Sequence, residues 1–359
     1  MSASTSSDVA VVVPTFNRLD LLKETVASLQ NQTMRSARFI MVDDRSDEPT
    51  RQYLASLSDA DSRFVFIAKP DEFAPGCQVS RNIGLDACNA TAIVFLDSDD
   101  LLESSALENR YKVLSSNPGT EIVVGWQSIR TDDGTPDVWV NVPKSGVPDI
   151  DRFLELTHPI DVPWVNGGVM IRTESLRSSS VRWRPEFDWD DVAFHFECLV
   201  YGLRPVWMDF NGRPDSIYRA HSGPRYGSML ATEQGIRSAA RMIGWMYDEI
   251  VKHQLTGTTR VDALRRALFR ACILPSLDAG NISAARALIR DAQARGLLSA
   301  RDAKKLSTYA SGRDMLSISD RATFYWNRFS DRRLLADFLT TGSSTYSTMA
   351  VNPAPPTIT

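Results

Sequence analysis

Cysteine is scarce in this sequence and follows no pattern. The 359 residues include four cysteines, Cys77, Cys88, Cys198 and Cys272, and no two of them form a Cys-x-x-Cys pair. Scattered cysteines of this kind argue against a zinc site or a disulfide scaffold, and they favour a reducing compartment. We therefore expect a cytoplasmic protein.

Long apolar runs are also missing. No run approaches the roughly 18 apolar residues that a membrane-spanning helix needs. The first eight residues are polar, and the apolar run after them stops at Pro14, which is typical of a buried strand rather than of a signal peptide. We expect neither a secretion signal nor a membrane span, while peripheral contact with the inner face of a membrane stays open.

Two glycine-rich nucleotide-binding motifs are absent. Neither Gly-x-Gly-x-x-Gly nor Gly-x-x-x-x-Gly-Lys occurs, which argues against a Rossmann dehydrogenase and a P-loop enzyme. A net charge of −4 gives no reason to expect binding of nucleic acid. The charge is uneven, because residues 229–339 hold 18 Lys+Arg against 11 Asp+Glu, a balance of +7. This region either faces an anionic acceptor or lipid headgroups, or is ordinary solvated helix surface.

An acidic run that follows an apolar segment is the strongest motif present. Residues 92–96 are apolar, which is typical of a strand buried on both faces, and Asp97, Asp99 and Asp100 follow within four positions. Ligands of open α/β sheets bind just beyond the carboxyl ends of the strands. Like charges repel each other there unless a cation or ligand hydroxyl groups share the site. Since Mg²⁺ is commonly held by one or two carboxylates plus substrate phosphates, the run predicts a metal-bound diphosphate. In the alternative interpretation Asp100 is a helix N-cap.

The first hundred residues alternate between strand and helix patterns. The predicted strands are 9–13, 39–42, 64–67 and 93–96, and the predicted helices are 18–32, 48–57 and 76–88. Ser46 or Asp47 is the expected cap of the second helix. Alternation of this kind predicts a parallel sheet with right-handed crossovers.

The pattern changes after residue 101. We predict helices at 106–114 and 190–201, and strands at 121–129, 138–142, 165–171 and 205–210, with a turn at 132–134. From residue 229 to 339 the apolar spacing is helical throughout. Residues 340–359 carry no charge and are predicted to be a disordered tail. We therefore expect a catalytic domain at 1–228, a helical region at 229–339 and the tail.

Polar segments follow the first two predicted strands. Thr15 and Asn17 can form hydrogen bonds with a base or a ribose, although Asn17 can equally cap a helix. Asp43 and Asp44 can accept hydrogen bonds from a base imide or a ribose hydroxyl, as acids do in dinucleotide-binding folds, or can be caps.

Two further segments carry groups suited to the same site. Arg81 lies on the helix that leads into the acidic strand, so its guanidinium can reach phosphate or base, although a surface arginine is the default interpretation. Four acids, Glu186, Asp188, Asp190 and Asp191, open a later helix. Acids are favoured at a helix N-terminus. The functional alternative is a general base, since burial and neighbouring like charges raise the pKa of a carboxyl group.

These segments, in this order, resemble the family 2 glycosyltransferases with the GT-A fold over roughly residues 8–222. The resemblance implies a mostly parallel, Rossmann-like sheet flanked by helices, with the helical region as a C-terminal extension. It also implies transfer of a sugar, with inversion, from a nucleotide-diphospho-sugar to a hydroxyl of a glycan, a cell-surface polymer or a secondary metabolite. The donor is most often UDP-linked.

The resemblance assigns roles to the motif residues. The donor would be bound by Pro14, Thr15, Asn17, Arg18, Asp43, Asp44, Arg81, Asp97 and Ser98. Mn²⁺ or Mg²⁺ would be bound by Asp99, and His221 would either reach the metal or be structural. Asp190-Asp191 stands where the family has Glu-Asp, so we expect Asp191 to be the base, with Asp190 or Asp188 as alternatives.

The remaining expectations concern the sugar, the acceptor and rival functions. Gly167-Gly168 either lines the donor sugar or allows close packing of a strand. At most one of the tryptophans at 126, 164, 183 and 189 is expected to stack on sugar. Region 229–339 would recognise the acceptor, mediate self-association or contact a membrane. The rival functions are a non-catalytic sugar-binding or nucleotide-binding scaffold of the same fold and a sugar nucleotidyltransferase.

Overall fold

The computed structural model describes residues 7–131, 138–140, 149–156, 164, 166–208, 212–220 and 232–314. Contacts divide the chain into two units, Met1–Leu156 with Val162–Gly223, and Thr157–Asp161 with Pro224–Thr359. The boundary at residue 228 that the sequence suggests stays a prediction.

The first unit alternates strands with helices. Its strands are β1 (Val9–Thr15), β2 (Arg38–Asp43), β3 (Phe64–Ala68), β4 (Ala92–Phe95), β5 (Leu101–Leu102), β6 (Ile122–Val124), β7 (Gln127–Thr131), β8 (Val138–Val140), β9 (Val169–Arg172), β10 (Pro205–Trp207) and β11 (Ser216–Ala220). Its helices are α1 (Leu19–Gln30), α2 (Glu48–Ala60), α3 (Cys77–Ala87), α4 (Ala106–Ser116), α5 (Ile150–Leu156), α6 (Thr173–Ser179) and α7 (Asp190–Val200).

In the described part of the chain, seven strands form the main sheet in the order β10-β6-β9-β4-β1-β2-β3. The pairs β1–β2, β1–β4, β2–β3 and β6–β10 are parallel, and β9 is antiparallel to both β4 and β6. The prediction of a mostly parallel sheet flanked by helices is therefore confirmed. A second sheet has the order β5-β11-β7-β8.

The central strands are buried on both faces, as their unbroken apolar runs predict. Residues 9–13 of β1 are each at most 1% exposed, and β4 is buried throughout. Pro14 lacks an N–H group, yet it lies within β1. This is tolerated because β4 has ended by this level, and Pro14 lies opposite Val42 of β2.

The predicted strand at 121–129 is wrong in one respect, because the chain breaks into β6 and β7 at Gly125. A Cβ atom on Gly125 would lie 2.6 Å from Asp215 Oδ1, so the backbone approaches a buried carboxylate there. Asp215 pairs with Arg110, and both side chains are fully buried. This ion pair lies where the chain leaves the main sheet for the second one.

Other differences involve short elements. The predicted strand at 165–171 begins as a 3₁₀ turn, Asn166–Gly168, and becomes β9 only at Val169. The prediction does not include β5, α5, α6 or β11, each of which has at most seven residues. Asp100 is not a helix cap, because β5 follows it and α4 starts at Ala106.

The described residues of the second unit form the helices α8 (Glu233–Lys252), α9 (Thr258–Leu268), α10 (Leu274–Asp278), α11 (Ile282–Arg295) and α12 (Ala300–Asp314). A π-helical segment, Phe269–Ile273, joins α9 to α10. Pro275 follows it and has no N–H group to donate to the carbonyl of Ala271, which is consistent with the irregularity. No helix in the described residues has the length and apolar character that a bilayer span requires. The predicted tail lies outside the described residues.

We predict that Gly84→Ala destabilises the protein. Gly84 of α3 packs against β1, and a Cβ atom there would lie 2.9 Å from Val12 Cγ2 and still closer to Cγ1. Overpacking of this kind costs about 1–3 kcal/mol in the free energy of unfolding, which urea unfolding would measure. Gly119→Ala is the control, since its nearest new contact would be 3.5 Å from Arg204. Equal stability of the two variants would contradict the prediction.

Candidate functional site

The predicted site residues meet at one edge of the main sheet. β4, β1 and β2 are adjacent and parallel, so the segments that follow them all emerge on the same side. This is the edge at which open α/β sheets bind ligands.

The segment after β1 is tied to the segment after β2. Thr15 is buried, and its carbonyl accepts a hydrogen bond from the N–H of Asp44 at 2.7 Å. Asn17 does not cap α1. Its N–H donates to Ser46 Oγ and its Oδ1 accepts from the N–H of Asp47, both at 2.8 Å. Asp47, rather than Ser46, caps α2.

The two acids after β2 have different environments. Asp43 is 2% exposed and accepts a hydrogen bond from the N–H of Ser46. Asp44 Oδ1 lies 2.5 Å from the Nζ of Lys69, a side chain that is fully buried, and Asp44 Oδ2 accepts from the N–H of Gly76 at 2.7 Å. Asp44 therefore fixes the start of α3, the helix that carries Arg81.

Arg81 bridges two acids that are far apart in the sequence. Its Nη2 lies 2.5 Å from Asp97 Oδ1, and its Nη1 donates to Asp190. The guanidinium stacks on the Trp183 ring at 4.4 Å from the centroid. The side chain is 4% exposed, so Arg81 is a buried link between the acidic turn and α7 rather than a surface arginine.

The acidic turn after β4 is clamped by Arg219 of β11. The side-chain Nε of Arg219 donates to the carbonyl of Asp99. The backbone N–H of Arg219 donates to Asp100 Oδ1 at 3.1 Å. Its Nη2 donates to Thr25 Oγ1, and that hydroxyl donates to the carbonyl of Ser98 at 2.9 Å. Burial beside two other carboxylates raises the pKa of Asp100 well above its ordinary value.

Asp99 points away from this clamp and pairs with Arg18. The side chains of Asp97 and Asp99 are 36% and 16% exposed, so both carboxylates are accessible from solvent.

The two acids that open α7 are placed differently. The carboxylate of Asp190 is buried, is bound by Arg81 and lies 3.6 Å from Cys77 Sγ. Asp191 is half-buried, and its Oδ1 accepts from the N–H of Val192 at 2.8 Å. Burial, followed by the charge of Asp190, raises the pKa of Asp191 to about 7.

The remaining candidates are the four tryptophans, Gly167 and His221. Trp164 and Trp183 are at most 1% exposed, which excludes them as open sugar-stacking surfaces, while Trp126 and Trp189 are partly exposed. A Cβ atom on Gly167 would lie 3.1 Å from Leu96 Cδ1, so a larger residue there would require the leucine side chain to shift. His221 lies outside the described residues.

The donor set suits a hard divalent cation. Among the described residues no three His, Cys, Asp or Glu side chains converge to hold a metal ion. The accessible carboxylates of Asp97 and Asp99 nevertheless lie two positions apart on one turn, and Mg²⁺ is commonly held by one or two carboxylates together with substrate phosphates. The pair fits a metal that a diphosphate helps to bind.

Three supporting residues were missed by the sequence analysis: Lys69, Thr25 and Arg219. Lys69 belongs to no recognisable motif. It lies one residue after β3, and this position beyond the carboxyl end of a strand is its sequence signal. Arg219 lies two residues before His221, and the family resemblance suggested a role for the histidine but not for the arginine. Thr25 lies within an ordinary amphipathic helix and gives no signal.

Comparison with known proteins identifies the domain. The sequence profile of glycosyl transferase family 2 matches residues 10–177, which include the acidic turn and most of the main sheet. Residues 10–177 belong to glycosyl transferase family 2. The family 2 domain includes every predicted donor-binding residue, and the candidate base follows it on α7.

Curated relatives match parts of the chain. A Campylobacter jejuni protein named GalNAc(5)-diNAcBac-PP-undecaprenol beta-1,3-glucosyltransferase is 35% identical over 99 residues, which cover 28% of this chain and 32% of that protein. The Staphylococcus aureus poly(ribitol-phosphate) beta-N-acetylglucosaminyltransferase TarP is 34% identical over 125 residues, 33% of this chain and 36% of TarP. The chain thus spans about a third of the length of these two relatives.

A solved structure extends the likeness to most of the fold. S. aureus TarS 1-349 in complex with UDP-GlcNAc superposes with a TM-score of 0.62 over 86% of this chain and 88% of that one, at 16% identity. The fold around the family 2 domain is GT-A.

A buried histidine lies one helical turn after Asp191. His195 is 1% exposed, and neither ring nitrogen has a hydrogen-bond partner among the residues that the structure describes. The ring is surrounded by Phe194, Trp164 and Trp183, with centroid distances between 5.4 and 6.5 Å. Burial, and then the charge of Arg81, lowers the pKa of His195 to about 3.

We predict that His195 makes the protein sensitive to acid. The pKa is depressed in the folded state, so below about pH 6.5 the unfolded chain binds a proton that the folded chain does not, and stability falls until about pH 3. Each pKa unit corresponds to about 1.4 kcal/mol, so a shift from 6.5 to about 3 gives a total on the order of 5 kcal/mol. Urea unfolding of His195→Leu should lose this part of the pH dependence. Parallel stability curves for the two proteins between about pH 7 and pH 5 would contradict the prediction.

Proposed function

We propose that this protein is an inverting glycosyltransferase that uses a nucleotide-diphospho-sugar, UDP-linked, and a hydroxyl acceptor. The observation that carries the proposal is the Arg81 bridge. It joins Asp97, an acid of the predicted donor site, to Asp190, the neighbour of the predicted base. Membership of family 2 and the likeness to TarS, whose solved complex contains UDP-GlcNAc, support the same donor class.

The nucleoside would lie over the carboxyl ends of β1 and β2. Asp43 and Asp44 line this part of the edge, and Asn17 rigidifies it. Two exposed aromatic rings follow β1 and β3 at the same edge, Phe16 at 58% and Phe73 at 43% exposure. Base stacking on an aromatic ring tolerates any base, so these rings support binding of a nucleotide without deciding which one.

The diphosphate would lie over the acidic turn. Asp99 would hold the cation, with Asp97 on the ribose, and the bound ion would neutralise charge that develops on the leaving diphosphate. Arg219 and Thr25 keep the backbone of this turn in place, so that the two carboxylates face solvent rather than each other.

Asp191 is the proposed general base. Burial raises the pKa of Asp190 and the charge of Arg81 opposes that rise, but the carboxylate is buried against this guanidinium, which leaves it less accessible to an acceptor than Asp191. Asp191 lies beside it with a pKa near neutrality, which is the range in which a carboxylate removes a proton from a hydroxyl group most effectively. The acceptor oxygen would then attack the anomeric carbon from the face opposite the diphosphate, which inverts its configuration.

We propose that region 229–339 recognises the acceptor, associates with itself or contacts the inner face of a membrane. Its excess of basic residues supports an acceptor that carries phosphate or carboxylate groups. We also propose a cytoplasmic role in bacterial polysaccharide biosynthesis. The names of TarP and the Campylobacter relative, which specify poly(ribitol-phosphate) and an undecaprenol-linked glycan, support an acceptor of the polymer or glycan class.

We predict that UDP with Mn²⁺ raises the thermal stability of the protein. A ligand at a hundred times its dissociation constant adds about 2.7 kcal/mol to the free energy of unfolding. Nucleotide sugars screened with and without Mn²⁺ would identify the donor. Asp99→Ala should lose the metal-dependent part of the shift, while Asp86→Ala, an exposed acid paired with Arg182, should keep it. If no nucleotide stabilises the protein, the donor class is wrong.

We predict that Asp191→Asn lowers kcat by about 10²–10⁴-fold while the dissociation constant of UDP stays unchanged. The base must be ionised to act, so kcat/KM of the wild type should rise with pH up to about 7, where the pKa of Asp191 lies, and then level off. Asp86→Asn is the matched control. Normal turnover by Asp191→Asn would move the base assignment to Asp190 or Asp188.

A further inference from the structure

Arg18 occupies a constrained position between two segments of the site. Asn17 and Arg18 have φ values of 56° and 63°, and left-handed backbone is uncommon for residues other than glycine. The turn is held by hydrogen bonds of Asn17 to Ser46 and Asp47, and by the carbonyl of Arg18, which accepts from the N–H of Leu22 at 2.9 Å. The unusual backbone directs the Arg18 side chain from β1 across to the acidic turn.

The guanidinium of Arg18 binds Asp99, the acid to which the proposed function assigns the cation. A divalent ion and a guanidinium that share Asp99 Oδ2 repel each other and compete for one lone-pair region. The two cannot both keep full contact with this oxygen. A cation that binds Asp99 Oδ2 therefore requires Arg18 to move.

Arg18 is more exposed than the other arginines of the site. Its side chain is 33% exposed, whereas those of Arg81 and Arg219 are 4% and 7% exposed. The planar guanidinium of arginine suits two phosphate oxygens as well as it suits a carboxylate. A diphosphate bound at Asp99 would bring such oxygens within reach of a side chain that is already aimed at this acid.

We propose that Arg18 is an exchangeable counter-ion: it neutralises Asp99 before the donor binds, and it transfers to the diphosphate when the donor arrives with its cation. The inference rests on the proposed function. It makes Arg18 a competitor of the metal ion and a ligand of the nucleotide at the same time, so its removal has opposite effects on the two affinities.

The test measures the two ligands separately by calorimetry on Arg18→Gln. Mn²⁺ without nucleotide should bind about 1.5- to 5-fold more tightly, because a partly exposed competing ion pair of about 0.2–1 kcal/mol is gone. UDP with a chelator present should bind about 10- to 100-fold more weakly, since hydrogen bonds to a charged group contribute about 1.5–3 kcal/mol. A residue that only maintains the fold would weaken both affinities.

Two further variants complete the design. Arg18→Lys keeps the charge, and it should retain much of the competition with Mn²⁺ while binding UDP less tightly than the wild type. Arg63→Gln is the control, because Arg63 forms a partly exposed ion pair with Asp61 just before β3, at the opposite end of the strands, and it should change neither affinity.

The outcomes separate the two hypotheses. Wild-type protein that binds neither UDP nor Mn²⁺ overturns the proposed function and this inference together. Wild-type protein that binds both, with Mn²⁺ affinity unchanged or reduced in Arg18→Gln, overturns the exchange and leaves the proposed function standing. Tighter Mn²⁺ and weaker UDP binding in the same variant supports the exchange.

Discussion

The buried guanidinium of Arg81 is the interaction on which the rest of the site depends. Asp97 and Asp190 come from different elements and would repel each other at this edge of the sheet. A buried charge is tolerated only when it is paired and hydrogen-bonded, and Arg81 has a carboxylate on each side and the Trp183 ring against its face. Removal of Arg81 would leave the buried carboxylate of Asp190 without its charged partner.

Other buried polar groups of the first unit are also paired with arginine. Arg110 is fully buried, binds the Asp215 carboxylate with two nitrogens and donates to the carbonyl of Gly167 at 2.6 Å. Arg219 likewise donates to the backbone carbonyl of Asp99 and to that of Leu21 in α1. One guanidinium has five donors in a fixed plane, so it satisfies carbonyls and carboxylates of several segments at once. Irregular backbone near the site is thereby fixed without regular secondary structure.

The sequence predicted those features that depend on local pattern. Strands β1 to β4 and the long helices were found within a few residues, because apolar runs and helical spacing are local signals. Short elements such as β5 were missed, since two residues form a strand only through pairing with β11. The direction of Arg81 toward the cleft was predicted, but its pairing with Asp190 was not, because the two residues are 109 positions apart. Pairings of this length depend on the tertiary fold.

The choice between the adjacent acids of α7 shows what the structure adds. From their residue type alone, either Asp190 or Asp191 could be a cap or a base, and only the family resemblance favours Asp191. In the fold the two differ in their partners, because the guanidinium of Arg81 binds Asp190 and not Asp191. Burial raises the pKa of both carboxyl groups, but Asp190 is buried against Arg81, whereas Asp191 is half-buried and is further destabilised as an anion by the neighbouring Asp190. The proposal that Asp191 is the base therefore rests on its greater exposure and on the contact between Arg81 and Asp190.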